Sequence, residues 1–243
     1  MKTPSSHKRM RCVVAVGASL GALFTLLNAA SGFSTSCAPL SSGRGAGSVG
    51  CLGARWGIPA RAPPVSPAAL DLQERLRRLC ADKSEPDREA RIERLAEELN
   101  ALNPTKDPAF SPLLAGRWRM IYSNVPGPSS GRLGPFVGDV FQDIRPDEKK
   151  IENILELGPS WALRGALEAD VEVLDGKNWA IIFDRVYNNF AGVQVQEKKF
   201  DQVERRIWSM TYLDEGFRVV YGRQESVPVE EGFIFVLERD QQE

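Results

Sequence analysis

Proton transfer near neutral pH is most often assigned to histidine, and this chain holds one, His7, far ahead of its first acidic residue, Asp71. Cys12, Cys37 and Cys51 also precede Asp71, which leaves Cys80 as the only later thiol. One thiol closes no intramolecular disulfide, so a disulfide-stapled fold is excluded after Asp71. Ser-His-Asp and Cys-His catalysis, and His-ligated zinc or iron, have no imidazole to draw on there. Two carboxylate pairs remain, Asp214 with Glu215 and Glu152 with Glu156. Such pairs do acid–base work when burial separates their pKa values. One pair falls in a turn and the other alternates along a strand edge, so solvated roles are expected for all four. Asp214 is expected to cap its hairpin through its own backbone. No catalytic residue, no metal site and no cofactor is expected.

Charge divides the chain in two. Residues 1–70 carry seven Lys or Arg and no acid, leaving 24 basic and 32 acidic side chains after them, a net of −8. Lys8, Arg9 and Arg11 precede an apolar run from Val13 to Leu27, and Ala29-Ala30-Ser31-Gly32 follow. This order reads as a signal peptide over 1–32, too short for a comfortable bilayer span. Residues 33–66 are rich in Ser, Gly, Ala and Pro with scattered Arg, as in a disordered plastid transit peptide. The pair resembles the bipartite leader of algae with secondary plastids. A secreted protein with a disordered spacer, or a retained signal anchor, are the alternatives.

Residues 67–81 predict a helix, capped by Ser66, opened by Pro67 and striped by Leu70, Leu72, Leu76 and Leu79. A second helix is expected from about Pro86 to Leu102, where Ser84 and Asp87 resemble a capping box. Its apolar face is Ile92, Leu95, Ala96, Leu99 and Leu102, and its many charges read as a solvated face. From Gly116 onward the period changes to two. Strands are expected from Trp118, then at 137–144, 150–157, 161–173, 178–186, 205–213, 217–223 and 232–238, with a further segment near 191–199. Residues 161–173 alternate most regularly, with Trp161, Leu163, Gly165, Leu167, Ala169, Val171 and Val173 on one face. Asp175-Gly176 and Asp214-Glu215-Gly216 read as hairpin loops, with Gly216 in a left-handed position. The fold class is therefore mainly β: roughly eight antiparallel strands after a helical segment, 67–103, with the barrel over 104–243. A barrel of eight strands either fills itself with side chains or holds one small ligand.

Gly116-Arg117-Trp118 matches the G-x-W entry of lipocalin-type barrels. The blocks Asn103-Pro104-Thr105, Pro108-Ala109 and Ser111 through Trp118 together resemble the start of the plastid lipid-associated protein (fibrillin) domain. Glu152-Asn153 with Glu156-Leu157 is similar to its central motif. Thr211 through Glu215, Arg218, Gly222-Arg223 and Phe235-Val236-Leu237 resemble its C-terminal signature. Residues 224–231 depart from the pattern as an insertion in a shorter turn. The resemblance implies a lipocalin-like barrel in plastids, associated with plastoglobules or thylakoids and with carotenoids, prenylquinones, fatty acids or other lipids.

On that resemblance, Gly116, Trp118 and Arg218 form the barrel floor, Arg218 packing on the indole with Arg223 as second choice. Trp118 is expected to act chiefly as a structural plug. Met120 and Tyr122, then Trp208, Met210 and Tyr212, then Phe217, Val219 and Tyr221, form three apolar rows that are either plain core or the wall of a lipid cavity. The leading expectation is a non-catalytic carrier, sequestering protein or coat for an apolar lipid or isoprenoid, held peripherally at a plastoglobule or thylakoid surface. An adaptor for a plastid prenyl-lipid enzyme is the alternative, and a lipid-modifying enzyme a more distant one. No nucleic-acid partner is expected.

Overall fold

The computed structural model of the protein describes residues 63–133, 135–158, 162–225 and 232–241. The expected signal segment, the expected transit segment up to residue 62, Trp161 and most of the expected insertion lie outside the described residues.

Among the described residues, two helices come first. In α1, Pro67–Ala81, the Ser66 hydroxyl accepts from the Ala69 amide at 3.2 Å, which satisfies one amide of the first turn. Leu72, Leu76 and Leu79 are buried on one stripe, but Leu70 lies two residues off it and is exposed. Helix α2, Arg88–Asn100, starts later than its sequence predicts. The capping box does not form: Ser84 turns back to Asp82 Oδ1, and Asp87 adopts a left-handed conformation without a side-chain cap. Ile92, Leu95, Ala96 and Leu99 are buried, whereas Leu102 falls past the helix end and is exposed.

Short 3-10 turns at Pro108–Phe110 and Pro112–Leu114 lead into β1, Gly116–Ser123. A two-stranded ribbon follows, β2 (Arg132–Leu133) with β3 (Phe136–Val137), which the sequence reading did not anticipate. The remaining strands are β4 (Asp139–Arg145), β5 (Lys150–Leu157), β6 (Leu163–Val173), β7 (Asn178–Phe190), β8 (Val193–Leu213), β9 (Phe217–Arg223) and β10 (Phe233–Arg239). Together with β1 these make a closed antiparallel barrel in the order β1-β10-β9-β8-β7-β6-β5-β4, with β1 pairing β4 to close it. The described residues are thus mainly β, an eight-stranded barrel with two helices ahead of it, as expected. The segments expected at 191–199 and 205–213 are one strand, β8, which stays paired with β7 across register shifts.

Pairing fixes which side chains face inward. Trp118, Ile144, Ile151, Ala169, Val171, Ile181, Met210, Val220 and Leu237 share one apolar cluster that draws on all eight strands, so this cluster is the lumen. A second cluster joins α1 and α2 to Tyr122, Tyr212, Phe217, Val219, Ile234 and Val236, on the outer wall. Each large apolar side chain so covered contributes roughly 1.5–3 kcal/mol. The helices therefore clad the barrel and do not plug it.

Candidate functional site

The lumen has a floor built from the connector ahead of β1. The Trp118 indole donates to the Leu114 carbonyl at 2.9 Å, and Trp179 donates to the Ala109 carbonyl at 2.9 Å. Gly116 has a φ of +97°, and a Cβ there would lie 3.1 Å from Arg239 Nη1. The left-handed turn is what requires glycine there. Arg239 sits 4.0 Å over the Trp118 ring and donates to the carbonyls of Leu113, Ala115 and Glu215.

Arg218 approaches Trp118 as well, 4.9 Å from its ring. Such contacts are worth about 0.5–2 kcal/mol each. Arg218 is 0% exposed, and its Nη2 donates to Gln142 Oε1 while Nε and Nη1 have no hydrogen-bond partner. Burial pulls the guanidinium pKa down to about 9, with Arg239 adding to the effect, so Arg218 stays charged at neutral pH. The structure thus places Arg218 against Trp118, with Gly116 two residues before the indole. Arg239 and Gln142 join them and were missed. Arg239 lies one residue beyond the expected last strand, and Gln142 is the polar residue between the apolar Val140 and Ile144 of β4. Arg223 lies at the other end of the barrel, bonded to the carbonyls of Gln224 and Glu225.

The three apolar rows divide. Met120, Trp208 and Met210 face the lumen. Tyr122, Tyr212, Phe217, Val219 and Tyr221 do not; they belong to the outer cluster under the helices. Two β-bulges cause the first two departures. Met120 pairs with Leu237 but Tyr122 with Val236, so Ile121 is an extra residue and the face switches after it. Met210 pairs with Val220 but Tyr212 with Val219, so Thr211 does the same in β8. In β9 the phase decides: Arg218, Val220 and Gly222 point inward, which turns Phe217, Val219 and Tyr221 outward. Gly222 faces Trp208 and Phe235 so closely that a Cβ would lie 2.8 Å from Phe235 Cε2.

Glu215 is exposed as expected, but Glu152, Glu156 and Asp214 are less solvated than their sequence predicts. A barrel has no strand edge, and Glu152 is 3% exposed. It faces Glu168 across the β5–β6 ladder, on the outer wall, among Arg145, Arg164, Lys150 and Arg185. Glu156 instead pairs with Arg117 at 2.9 Å. Burial raises the Glu152 pKa, against Arg164 and Arg145. Burial alone would raise Glu168 too, but hydrogen bonds from Arg185 and Lys150 outweigh it and hold that carboxyl low. These basic groups roof the pair. Asp214 is buried as well, and it caps its hairpin as expected, accepting from the Gly216 and Phe217 amides at 2.7 Å. Gly216 does not take a positive φ, because Asp214 holds the turn. Burial pushes the Cys80 thiol up to about 12, Arg88 opposing and Glu238 adding, so little thiolate forms near neutral pH. Among the described residues no group of three or more acidic, His or Cys side chains is placed to hold a metal, and no helix is long and apolar enough to cross a membrane.

A closed eight-stranded antiparallel barrel, with a tryptophan contacted by two arginines at one end and a lining of apolar side chains, has the architecture of a lipocalin-like protein. The PAP_fibrillin family model matches residues 73–231, and the chain belongs to that family. It is 27% identical over 140 residues to the probable plastid-lipid-associated protein 5, chloroplastic, of Arabidopsis thaliana. That match covers 57% of this chain and 57% of the relative, so the chain spans a little over half the relative's length. No solved structure matches.

Proposed function

We propose that the protein is a non-catalytic plastid lipid-binding protein whose barrel takes the apolar chain of a lipid into its lumen. One observation carries this reading: Met120, Leu167 and Phe183 face inward yet keep partial exposure. A lumen packed solid by side chains would bury them fully. The family and the relative's printed name support a lipid association in a plastid. The acid-free residues 1–70 agree with import through a signal segment, 1–32, and a transit segment, 33–66.

The end opposite the floor supports a peripheral place on a lipid surface such as a plastoglobule or thylakoid. Phe136 and Val137 of β3, Phe190, Val193 and Val195 at the β7–β8 tip, and Phe233 at the start of β10 are all exposed there. Phe190 pairs with Leu163 and Leu163 with Leu157, so the tip continues the barrel rim. Apolar side chains around a mouth favour the contact through which a lipid passes without crossing water.

The test is titration of the delipidated full chain with a fluorescent fatty acid and with a prenylquinone. Saturable binding is expected, and no saturation with either class would overturn the reading.

A second reading, an adaptor for a plastid enzyme, draws on a cleft of about 760 Å³ between α1 and α2. Arg75, Arg78, Arg91 and Arg94 line it together with Asp82, Glu85 and Glu98 around apolar Leu79 and Leu95, which suits a partner segment carrying charges of both signs. Co-purification with a prenyl-lipid synthase, lost on reversing Arg91 and Arg94 to Glu, is its expected result.

A further inference from the structure

One sequence pattern is used twice in the helical segment. Arg75-x-x-Arg78-Leu79-x-x-Asp82 recurs as Arg91-x-x-Arg94-Leu95-x-x-Glu98. The first repeat runs along α1 to its C-cap, Asp82, and the second lies within α2. Arg88, which opens α2, donates to the Leu79 and Cys80 carbonyls in the last turn of α1, at 2.8 Å and 2.5 Å, so the short connection folds α2 back along α1. Every residue fixed by the pattern lines the cleft between the two helices. Because the helices run in opposite directions, Arg75 and Glu98 fall at one end of it and Asp82 and Arg91 at the other. Arg78 and Arg94 meet in the middle, beside Leu79 and Leu95.

Pairing within the hairpin leaves a simpler order of charge. Arg75 leans on Asp71 at 3.6 Å, Arg78 on Glu74 at 2.9 Å, and Arg91 on Glu85. Arg94 and Glu98 have no hydrogen-bond or ion-pair partner among the described residues, and Asp82 accepts only from the uncharged Ser84. Negative charge therefore remains at each end, on Glu98 and Asp82, and positive charge at the centre, on Arg94 with Arg78 beside it. From Arg75 to Asp82 the pattern covers about two turns, roughly 10 Å. A packed helix offers about three or four side chains over that length, and the cleft has about 760 Å³ to receive them. We propose that the cleft docks an amphipathic helix of a partner protein that carries the inverse order: Lys or Arg at both ends, and a carboxylate beside an apolar residue at the centre. The assignment rests on the adaptor reading and names what the partner must present. A second copy of this chain does not fit, because a two-fold axis through the cleft would set arginine on arginine and acid on acid.

The experiment titrates the full chain with two labelled helical peptides and follows fluorescence anisotropy. One peptide has Lys at both ends and Glu beside Leu at the centre; the other has the same helix with the signs exchanged. The first is expected to bind at least about tenfold more tightly, with a preference that shrinks as salt is added, since the pairs are exposed. Arg78→Glu with Arg94→Glu is expected to erase or invert the preference. Both side chains are exposed, so the double variant keeps the fold, and circular dichroism checks that it does. Glu98→Lys, at one end, is expected to reduce the preference without inverting it. Equal affinity for the two peptides, binding of neither, or a preference unmoved in the double variant would overturn the proposal. A preference that holds while no prenyl-lipid synthase co-purifies refutes the choice of enzyme in the adaptor reading and leaves the docking cleft in place, so the two failures are distinguishable.

Discussion

Gln73 of α1 donates to Asp214 Oδ2 at 2.6 Å, joining residues 141 positions apart and fixing the first helix to the β8–β9 hairpin. Asp214 also accepts from the Tyr212 hydroxyl and from two turn amides, so one buried carboxylate holds both the turn and the helix. Replacing Asp214 with Ala leaves four donors without their acceptor. A loss of roughly 3 kcal/mol or more is expected, against about 1 kcal/mol for Gln73→Ala, read from urea denaturation. A smaller loss at Asp214 than at Gln73 would contradict its place at the centre of the contact.

Arg239 is expected to matter more for stability than for binding. Arg239→Met removes three hydrogen bonds to carbonyls and the closer of the two guanidinium contacts with the Trp118 ring, a cost on the order of 2–4 kcal/mol. Thermal denaturation should show the shift, while lipid affinity of the folded fraction stays near that of the wild type.

Gly222 separates the rings of Phe235 and Trp208 inside the barrel. Gly222→Val inserts a branched side chain where even a Cβ is too close. The expected result is a loss of about 1–3 kcal/mol from overpacking. Weaker binding of long-chain ligands than of short ones should accompany it in the same titration. Unchanged affinity for both would place the ligand elsewhere.

At the rim, Phe190, Val193 and Val195 are each at least 60% exposed. Changing all three to Ser is expected to lower co-sedimentation with galactolipid vesicles several-fold, by removing apolar area from the contact. Affinity for a soluble lipid analogue should not change. Vesicle binding that survives the triple change would move the surface contact to another part of the chain.

Glu152 and Glu168 are neighbours with opposite pH behaviour. Burial holds Glu152 above its ordinary value of 4.5, so the folded state binds that proton more tightly than the unfolded chain. Its contribution is greatest below 4.5 and falls as pH rises through the folded value. Glu168 is held below 4.5, so its contribution is present above that value and is lost as pH falls through the folded one. Glu152→Gln should therefore leave stability at pH 7 equal or higher, and Glu168→Gln should lower it. Denaturation at pH 4 and pH 7 measures both, and the reverse order of the two variants would refute the assignment.

Strand existence was legible because alternation over β6 follows from one face being dry, and caps such as Ser66 announce themselves locally. The spacing of Gly116 and Trp118 marked the start of β1, and the structure sets the indole beside Arg218 and Arg239. The facing of the aromatic rows was not legible. Ile121 and Thr211 each add one residue to one strand of a pair, and a single added residue moves everything after it to the other side. No local pattern marks such a residue, because its cause is the mismatch between two strands distant in sequence.

Composition alone removed imidazole chemistry after residue 7, separated a basic N-terminal portion from an acidic remainder, and set the periods that make helices and strands. Ring closure decided the rest. Only when β1 meets both β4 and β10 do Arg218, Gln142, Trp118 and Arg239 come within contact distance. Only then does the carboxylate pair expected at a strand edge find that no edge exists. Local propensity acts over a few residues, whereas burial of a charge depends on every strand that surrounds it.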